Sequence, residues 1–419
     1  MKSSLLPRPP FGNIFSLEQY IYVSTLLGMF CRIKLQTTFD IQIFDFVIIS
    51  NLFLIPFVID ISRIPRWLIG LCCYLFFSGA IGIANGTDSV GQVLKQFVGI
   101  SVSALYFHYF FKIPRNSISR AFDTYSRIAY WLCLIGFPLW FWWYFTQQDL
   151  DRFRSITTEP AEFCTLILPA YYWYTYLYFT VRKYGTEVVV FTIALILSNS
   201  SLGFVSAVFG VILLLLSARK KLLLAIPIVV GGLIGVVYIA SANFRLRVDD
   251  TLIATTSNDV TGVNLSTYAL ISNLIVTEQV MQESPLLGNG IGSHALSHAR
   301  YLREVSGVDA LDEEWLKTNS TDAASMTLRA LSELGIVGYG GILWFLVHFH
   351  VRGSGRHAAI SNAILVSFFL KLIRIGLYFP PEQFFFISIY VINYREFRRK
   401  DTFPQRNPAL EVSPRLTIA

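Results

Sequence analysis

The sequence predicts an all-α, polytopic membrane protein with about twelve transmembrane helices (10–14) and one large external loop that contains short helices. Only 15% of the 419 residues are charged, whereas an average soluble protein has about 25%. Apolar runs long enough to cross roughly 30 Å of hydrocarbon recur along the chain, without the alternation of barrel strands. Because backbone groups in lipid must bond within their own segment, these runs are predicted to be helices.

Twelve apolar segments are candidate spans, and the seventh, eighth and twelfth are short. In chain order they are 16–34, 41–60, 66–84, 92–112, 125–146, 160–181, 186–199, 202–217, 222–240, 325–350, 358–378 and 383–394. We expect a single transmembrane domain over residues 1–400, with 241–322 inserted between two spans as the large external loop. The polar tail 401–419 contains three prolines and is expected to be disordered.

The basic residues cluster between the spans and predict the orientation of the chain. With twelve spans, six basic segments fall on one side, together with both termini; the exceptions are Arg32 with Lys34 and two external segments, 146–159 and 241–322. The positive-inside rule assigns that side to the cytoplasm. The same dispersal explains the net charge of +7, so nucleic acid is not an expected partner.

Four arginines lie in predicted external segments, where the positive-inside rule disfavours them. They form two pairs, Arg152 with Arg154 and Arg245 with Arg247. A guanidinium presents a planar fork of donors that matches phosphate, so the two pairs are candidates to converge on a pyrophosphate. The alternative is contact with lipid headgroups or salt bridges to the aspartates that adjoin each pair.

Two glutamates after the first arginine pair are candidate catalytic residues. Glu159 precedes Pro160, which suits the first turn of a helix, so Glu159 or Thr158 is a candidate N-cap. The functional alternative is that Glu159 orients the arginines or accepts a proton from a substrate hydroxyl. Glu162 lies inside the following span, where an acidic side chain is costly unless it is paired, and this favours a functional role.

A glycine-rich string, Gly288-Asn-Gly290-Ile-Gly292, lies within the large external segment. It lacks the strand and the βαβ unit of a dinucleotide site, so we interpret it as a tight turn with close backbone approach. His294 and His298 follow at a spacing that places them on one helix face. No third His or Cys lies near them in sequence, so no metal is expected. His294 is a candidate base or substrate ligand, and the alternative is a surface histidine pair.

Two cations lie inside a predicted span. Lys371 is near its middle, and Arg374 is one turn nearer the external end. Intramembrane cations are functional candidates, so these two are expected either to bind an anionic substrate or to pair with carbonyl groups of neighbouring helices.

Several of these motifs, taken in order, resemble one superfamily of enzymes. They are Arg152-Phe-Arg154-Ser, Glu159-Pro160, Ser198-Asn-Ser-Ser201, Arg245 with Arg247, Ser284-Pro-Leu-Leu-Gly-Asn-Gly-Ile-Gly, and Leu331-Ser-Glu333-Leu-Gly335-Ile-Val-Gly338. The set resembles the O-antigen polymerase (Wzy) and O-antigen ligase (WaaL) superfamily of bacterial envelope glycosyltransferases. The motifs cover roughly residues 150–345.

The resemblance implies a multi-pass enzyme of the bacterial inner membrane that acts at the periplasmic face, with 241–322 as a large periplasmic loop. It implies an undecaprenyl-pyrophosphate-linked oligosaccharide as donor, held by the arginines, and neither metal nor cofactor. A polymerase moves the growing glycan onto a new lipid-linked repeat unit, whereas a ligase moves it onto lipid A-core. Further implied partners are membrane lipids and a chain-length regulator and flippase of the same pathway.

One departure favours a polymerase over a ligase. Ligases commonly carry a His-Asn pair, with the His as proposed base, ahead of the last Leu-Glu-x-Gly string, and the matching positions here are Ala324-Ser325. The nearest polar substitutes are Asn319 and Asp322, so the sequence assigns no base. A ligase is the alternative within the superfamily. A flippase or transporter of lipid-linked oligosaccharide is the alternative from another class, although no two related halves are visible.

The predicted topology can be tested with reporter fusions. A cytoplasm-specific reporter fused after Lys400 should be active, because an even number of spans returns the chain to the side of the basic segments. A fusion after Asn85, in a predicted external connection, should give the opposite result. A periplasm-specific reporter that is active after Lys400 would contradict the orientation.

Overall fold

A computed structural model of the chain describes most of its residues, and these are all-helical without a strand. The described residues are 16–31, 42–61, 64–87, 89–114, 116–147, 152–157, 159–200, 202–206, 231–232, 235, 238–239, 242–257, 263–305, 312–353, 355–380 and 382–402. Within the described residues, the α-helices with defined ends are α1 (Leu17–Gly28), α2 (Ile43–Leu54), α3 (Arg66–Ala84), α4 (Val90–Phe110), α5 (Ile118–Gln147), α6 (Pro160–Val181), α7 (Gly185–Leu197), α8 (Ala242–Ser257), α9 (Leu265–Glu283), α10 (His294–Tyr301), α11 (Glu313–Leu316), α12 (Met326–His348), α13 (Arg356–Arg374) and α14 (Gln383–Thr402).

Five of the described helices are long and apolar enough to cross a membrane, namely α3, α4, α5, α12 and α13. Two shorter apolar helices are α2, extended to Phe57 by a 3₁₀ turn, and α7. Many large apolar side chains on these helices are exposed, as expected for surfaces that face lipid. The prediction of an all-helical protein with membrane-spanning helices agrees with this architecture, whereas the count of twelve spans is not confirmed.

The helix bounds differ from the predicted spans in several places. Helix α1 ends at Gly28 rather than at residue 34, and α5 begins at Ile118 rather than at residue 125. Helix α14 continues to Thr402, two residues into the segment expected to be a disordered tail. Its polar last two turns explain the difference, because hydropathy locates the apolar part of a helix and not its end. The rest of the tail, most of 202–217 and most of 222–240 lie outside the described residues.

Helices α6, α12 and α13 place several predicted motifs at one end of the bundle. The guanidinium of Arg356, at the start of α13, lies 5.4 Å from the ring centre of Trp173, in the second half of α6. The two helices also pack along much of their length, and we infer that they run antiparallel, with the start of α6 near the end of α13. The Ser325 hydroxyl, at the start of α12, donates to the carbonyl of Leu372 near the end of α13 (2.7 Å). We call this end of the bundle the loop end.

Helix α12 is interrupted at Gly335, where φ is +62° and ψ is −167°. In an unbroken helix, the amides of Ile336 and Val337 would donate to the carbonyls of Ser332 and Glu333. Instead they donate to the carbonyls of Pro285 and Leu286, at 3.0 and 3.1 Å. The break therefore frees two carbonyl groups and redirects two amide groups towards the segment that precedes α10.

The segment 284–293, which we call the docking loop, also bonds to the two carbonyl groups that the break leaves without helical partners. The amides of Asn289 and Gly290 donate to the carbonyls of Ser332 and Glu333, both at 2.9 Å. Two helical hydrogen bonds are thus replaced by four bonds between the loop and the helix. A Cβ atom on Gly335 would lie 2.4 Å from the backbone of Leu286, so both the backbone conformation and the close approach require glycine there.

Replacing Gly335 with alanine tests the joint between α12 and the docking loop. Because a left-handed conformation strains alanine and its Cβ would collide with backbone, we expect a loss of at least about 2 kcal/mol and a clearly lower Tm. Gly340→Ala is the matched control, since Gly340 lies in the same helix and nothing occupies the space of its Cβ. Equal thermal unfolding of the two purified variants would contradict the joint.

Candidate functional site

The docking loop also packs on α3, so it joins two helices that are far apart in sequence. The amide of Ile291 donates to the Ser78 hydroxyl (3.0 Å), and the Thr87 hydroxyl donates to the carbonyl of Asn289 (2.7 Å). A Cβ atom on Gly290, where φ is +99°, would lie 2.6 Å from the carbonyl oxygen of Ser78. The interpretation of the glycine string as a tight turn with close backbone approach is confirmed.

His294 lies at the start of α10, immediately after the docking loop, and both of its ring nitrogens are hydrogen-bonded. Nε2 is 2.7 Å from Asn273 Oδ1, and Nδ1 is 2.8 Å from the Ser332 hydroxyl. The Asn273 amide donates to the carbonyl of Ala269 (2.6 Å), which leaves Oδ1 as an acceptor. Nε2 therefore carries the proton of the neutral ring, and Nδ1 faces the Ser332 hydroxyl, which also lies 3.1 Å from the carbonyl of Arg329. His294 thus connects α10 to α9 and α12.

His294 and His298 share one face of α10, as predicted, with ring centres 6.2 Å apart. Their exposures are 0% and 2%, so the alternative of a surface histidine pair is wrong. The physical reason is that α9 and α12 cover this face. Burial lowers the pKa of His298 to about 4 and lowers the pKa of His294 well below its usual value. Both rings are therefore neutral at pH 7.

Arg329 and Glu333 form a buried ion pair one turn before the break in α12. Arg329 Nε donates to Glu333 Oε1 at 3.0 Å, and the two side chains are 3% and 0% exposed. Arg329 Nη1 donates to the carbonyl of Gly376 (3.0 Å), and its guanidinium lies 4.5 Å from the ring centre of Tyr378. Burial, and then the negative charge of Glu333, raise the pKa of Tyr378, so its hydroxyl stays protonated.

The two cations predicted in the span 358–378 have polar partners at the loop end. Lys371 is buried and bonds to Glu382 and to Gln383 Oε1, the latter at 3.0 Å. Arg374 is half-buried and donates to the hydroxyl and to the carbonyl of Ser266, at the start of α9. The carboxylate partner of Lys371 was not predicted, whereas the Arg374 contact includes a carbonyl of a neighbouring helix, as one alternative anticipated.

The segment with Arg152 and Arg154 is anchored to the same end of the bundle. The amide of Phe153 donates to the carbonyl of Leu197, the last residue of α7 (2.9 Å), and Phe153 is fully buried. Arg152 and Arg154 are both half-buried. The guanidinium of Arg154 lies 5.1 Å from the ring centre of Trp143, a cation–π contact that uses one face of the group.

Glu159 and Glu162 begin α6 beside this segment. The Thr157 hydroxyl bonds to the carbonyls of Arg154 (2.6 Å) and Glu159 (3.0 Å), so one short turn holds both residues. Glu159 occupies the N-cap position with an exposed side chain, but that side chain makes no capping hydrogen bond. Glu162 is half-buried in the first turn, where the helix dipole favours a negative charge.

The second arginine pair lies on α8, within the predicted loop 241–322. Arg245 is exposed, and the side chain of Arg247 lies outside the described residues. Helix α8 packs against α9, and Asp250 accepts hydrogen bonds from the Asn264 amide groups at 2.6 and 2.9 Å. The convergence of the two arginine pairs on one pyrophosphate stays a prediction.

Arg329, Tyr378 and Glu382 were not selected from the sequence. Arg329 and Glu333 stand four residues apart in an apolar run, and this spacing is a detectable signal for an intrahelical ion pair. The contacts of Arg329 with Gly376 and Tyr378 have no such signal in the sequence, because they depend on how α12 packs against the segment after α13.

Comparisons with known proteins add no assignment. The sequence matches no protein-family model and no curated protein. Among the described residues, no three His, Cys, Asp or Glu side chains form a group that could hold a metal ion. Membership of the O-antigen polymerase and ligase superfamily therefore stays a prediction based on the motifs.

Removing one partner of the buried ion pair should lower the free energy of unfolding more than removing both partners. Glu333→Gln leaves the Arg329 charge buried without its carboxylate, and we expect a loss of about 3–5 kcal/mol. The double variant Arg329→Met with Glu333→Gln should recover part of that loss. The exposed pair of Lys317 and Glu313 is the control, and Lys317→Ala should leave thermal unfolding unchanged. Additive losses in the double variant would contradict the coupling.

Proposed function

We propose that the protein is a membrane glycosyltransferase that polymerises lipid-linked glycan repeats. It transfers the growing glycan from undecaprenyl pyrophosphate onto a new lipid-linked repeat unit at the periplasmic face of the bacterial inner membrane. The observation that carries the proposal is the joint between the docking loop and α12. The string 284–292 and the string 331–338, which the family resemblance pairs by order alone, bond to each other through four backbone hydrogen bonds.

The location of the charged residues supports the same proposal. The loop end carries Arg152 and Arg154, the start of α6 with Glu162, and the end of α13 with Arg374. A site at one end of a helix bundle is open to a substrate whose lipid lies in the bilayer and whose sugars lie in water. Half-buried arginines are suited to a phosphate, because a lower dielectric strengthens their charge-assisted hydrogen bonds.

In the proposed reaction, a hydroxyl oxygen of the acceptor sugar attacks the anomeric carbon of the donor glycan. The bond from that carbon to the phosphate oxygen breaks, and the electron pair leaves with undecaprenyl pyrophosphate. The hydroxyl proton passes to a base. Arg152, Arg154, Arg245 and Arg247 bind the pyrophosphate, and this stabilises the charge that develops on the leaving group. Arg374 adds positive potential at the loop end, whereas the charge of Lys371 is balanced by the Glu382 carboxylate.

Three side chains are candidates for the base, and their accessibility differs. Glu159 is exposed and Glu162 is half-buried, so either can meet a substrate hydroxyl. His294 is fully buried and uses both nitrogens, so proton transfer to it would require the bond with Ser332 to open. Accessibility therefore favours the two glutamates over His294.

A transporter of lipid-linked oligosaccharide is the second candidate, and the break at Gly335 favours it. Interrupted helices often form substrate sites in transporters, since the exposed backbone groups bind the cargo. Here the docking loop already bonds to four of those groups. Because these backbone groups already have partners, the break is favoured as a structural feature rather than a site for cargo. This favours the transferase over the transporter.

The glycan profile of a deletion strain separates the candidate functions. Loss of a polymerase should leave single repeat units on the cell surface, because flipping and ligation continue. Unsubstituted lipid A-core with lipid-linked polymer would instead indicate a ligase. Lipid-linked repeats that accumulate in the cytoplasm would indicate a flippase, and either result would refute the proposal.

Complementation of that strain tests the arginines. Arg154→Ala or Arg245→Ala should reduce long chains at least about tenfold at normal expression, because each variant loses a charge-assisted contact with phosphate. Arg303→Ala is the control, since Arg303 is an exposed arginine of the same external segment outside the motifs. Full-length polymer from both test variants would contradict the phosphate-binding role.

A further inference from the structure

An apolar groove lies between α12 and α13, towards the end of the bundle opposite the loop end. It encloses about 120 Å³. Leu346, which is buried, and Leu365, which is half-buried, form its floor. Val347 and Phe369 border it with exposed side chains. Because α12 and α13 are both long and apolar enough to span a membrane, we expect this groove to open towards lipid rather than towards water.

One end of the groove is polar. His350 and Arg352, in the connection between the two helices, line it there. His350 Nδ1 lies 3.2 Å from the Ser361 hydroxyl, which also accepts a hydrogen bond from the amide of Val351 (3.0 Å). Burial, and then the charge of Arg352, lower the pKa of His350. His350 is therefore neutral at pH 7, and Arg352 supplies the charge at this end.

The spacing along α13 gives the length of the groove. Ser361, Leu365 and Phe369 are four residues apart, so they follow one face of the helix. With a rise of about 1.5 Å per residue, Phe369 lies roughly 12 Å along the helix axis from Ser361. Apolar walls thus extend about two helical turns away from the positively charged mouth.

The charge at the mouth is not neutralised by any ion pair of the described residues. Arg352 is exposed, and it takes part in none of the salt bridges between described residues in this part of the chain. The nearby Arg356 is already engaged, since it bonds to Asp123 at 2.8 Å and lies over the ring of Trp173. Arg352 is thus the cation that can bind an anion at the groove.

We propose that this groove binds one anionic phospholipid, with the phosphate on Arg352 and one acyl chain along Leu346, Leu365 and Phe369. A guanidinium matches a phosphate, and a cationic mouth without a carboxylate favours a headgroup with net negative charge. The positive-inside rule assigns this connection to the cytoplasmic leaflet, which is the anionic one. The proposal goes beyond the glycosyltransferase activity and depends on α12 and α13 lying in a bilayer with their connection on the cytoplasmic side.

Native mass spectrometry of the purified full-length protein tests the site. Phosphatidylglycerol and phosphatidylcholine with identical acyl chains are added separately, and the bound fraction is measured. One phosphatidylglycerol should be bound roughly fivefold more tightly, the factor expected for one arginine near the membrane surface. Glycerol phosphate, which has the charge without the chains, should not displace it. Equal binding of the two lipids, or displacement by glycerol phosphate, would overturn the proposal.

Two variants separate the headgroup contact from the chain contact. Arg352→Ala should abolish the preference for phosphatidylglycerol, whereas Lys183→Ala, a change at an exposed cation in another connection, should retain it. Val347→Trp should weaken binding of both lipids, because Val347 is exposed and a larger side chain there covers the groove without entering the core. An unchanged preference in Arg352→Ala, or its loss in Lys183→Ala, would refute the site.

Discussion

The interrupted backbone of α12 is the constraint on which the loop end depends. A helix opened at Gly335 leaves two carbonyl and two amide groups without helical partners, and each such group costs several kcal/mol in an apolar surrounding. The docking loop satisfies all four, and its own amides and carbonyls are satisfied in return. Without the other element, each would leave these backbone groups unsatisfied in this conformation. The loop therefore has one register on α12, and α3 secures it from the other side through Ser78 and Thr87.

The joint positions the polar groups around it. Ser332 and Glu333 contribute carbonyls to the loop, and their side chains bond to His294 and Arg329. The histidine extends the network to α9, and the arginine extends it to the segment after α13. These groups are buried, so they rigidify the loop end rather than meet a substrate. The exposed and half-buried residues at its rim, Arg154 and Glu159 among them, are the ones that the lipid-linked glycan of the proposed function would reach. We infer a division between a rigid support and a reactive rim.

The sequence predicted the class of fold because the length of each apolar run can be read directly from the sequence. It predicted the glycine turn and the shared face of the two histidines because both follow from local geometry. It did not predict the burial of His294, which needs Asn273 and Ser332 from two other helices. It did not identify Gly335 as a break, since a glycine in an apolar run is compatible with an intact helix. Lys371 was recognised as unusual, but its pairing with Glu382 depends on the turn before α14. Local patterns could therefore be predicted from the sequence, whereas contacts between elements could not.

Amide hydrogen exchange of the protein in a bilayer mimetic tests the joint most directly. The amides of Asn289, Gly290, Ile336 and Val337 should exchange slowly and with similar protection, because they open together when the loop leaves the helix. If Asn289 and Gly290 exchange at the rate of an exposed loop while Ile336 and Val337 stay protected, α12 is continuous and the docking loop does not hold the loop end together.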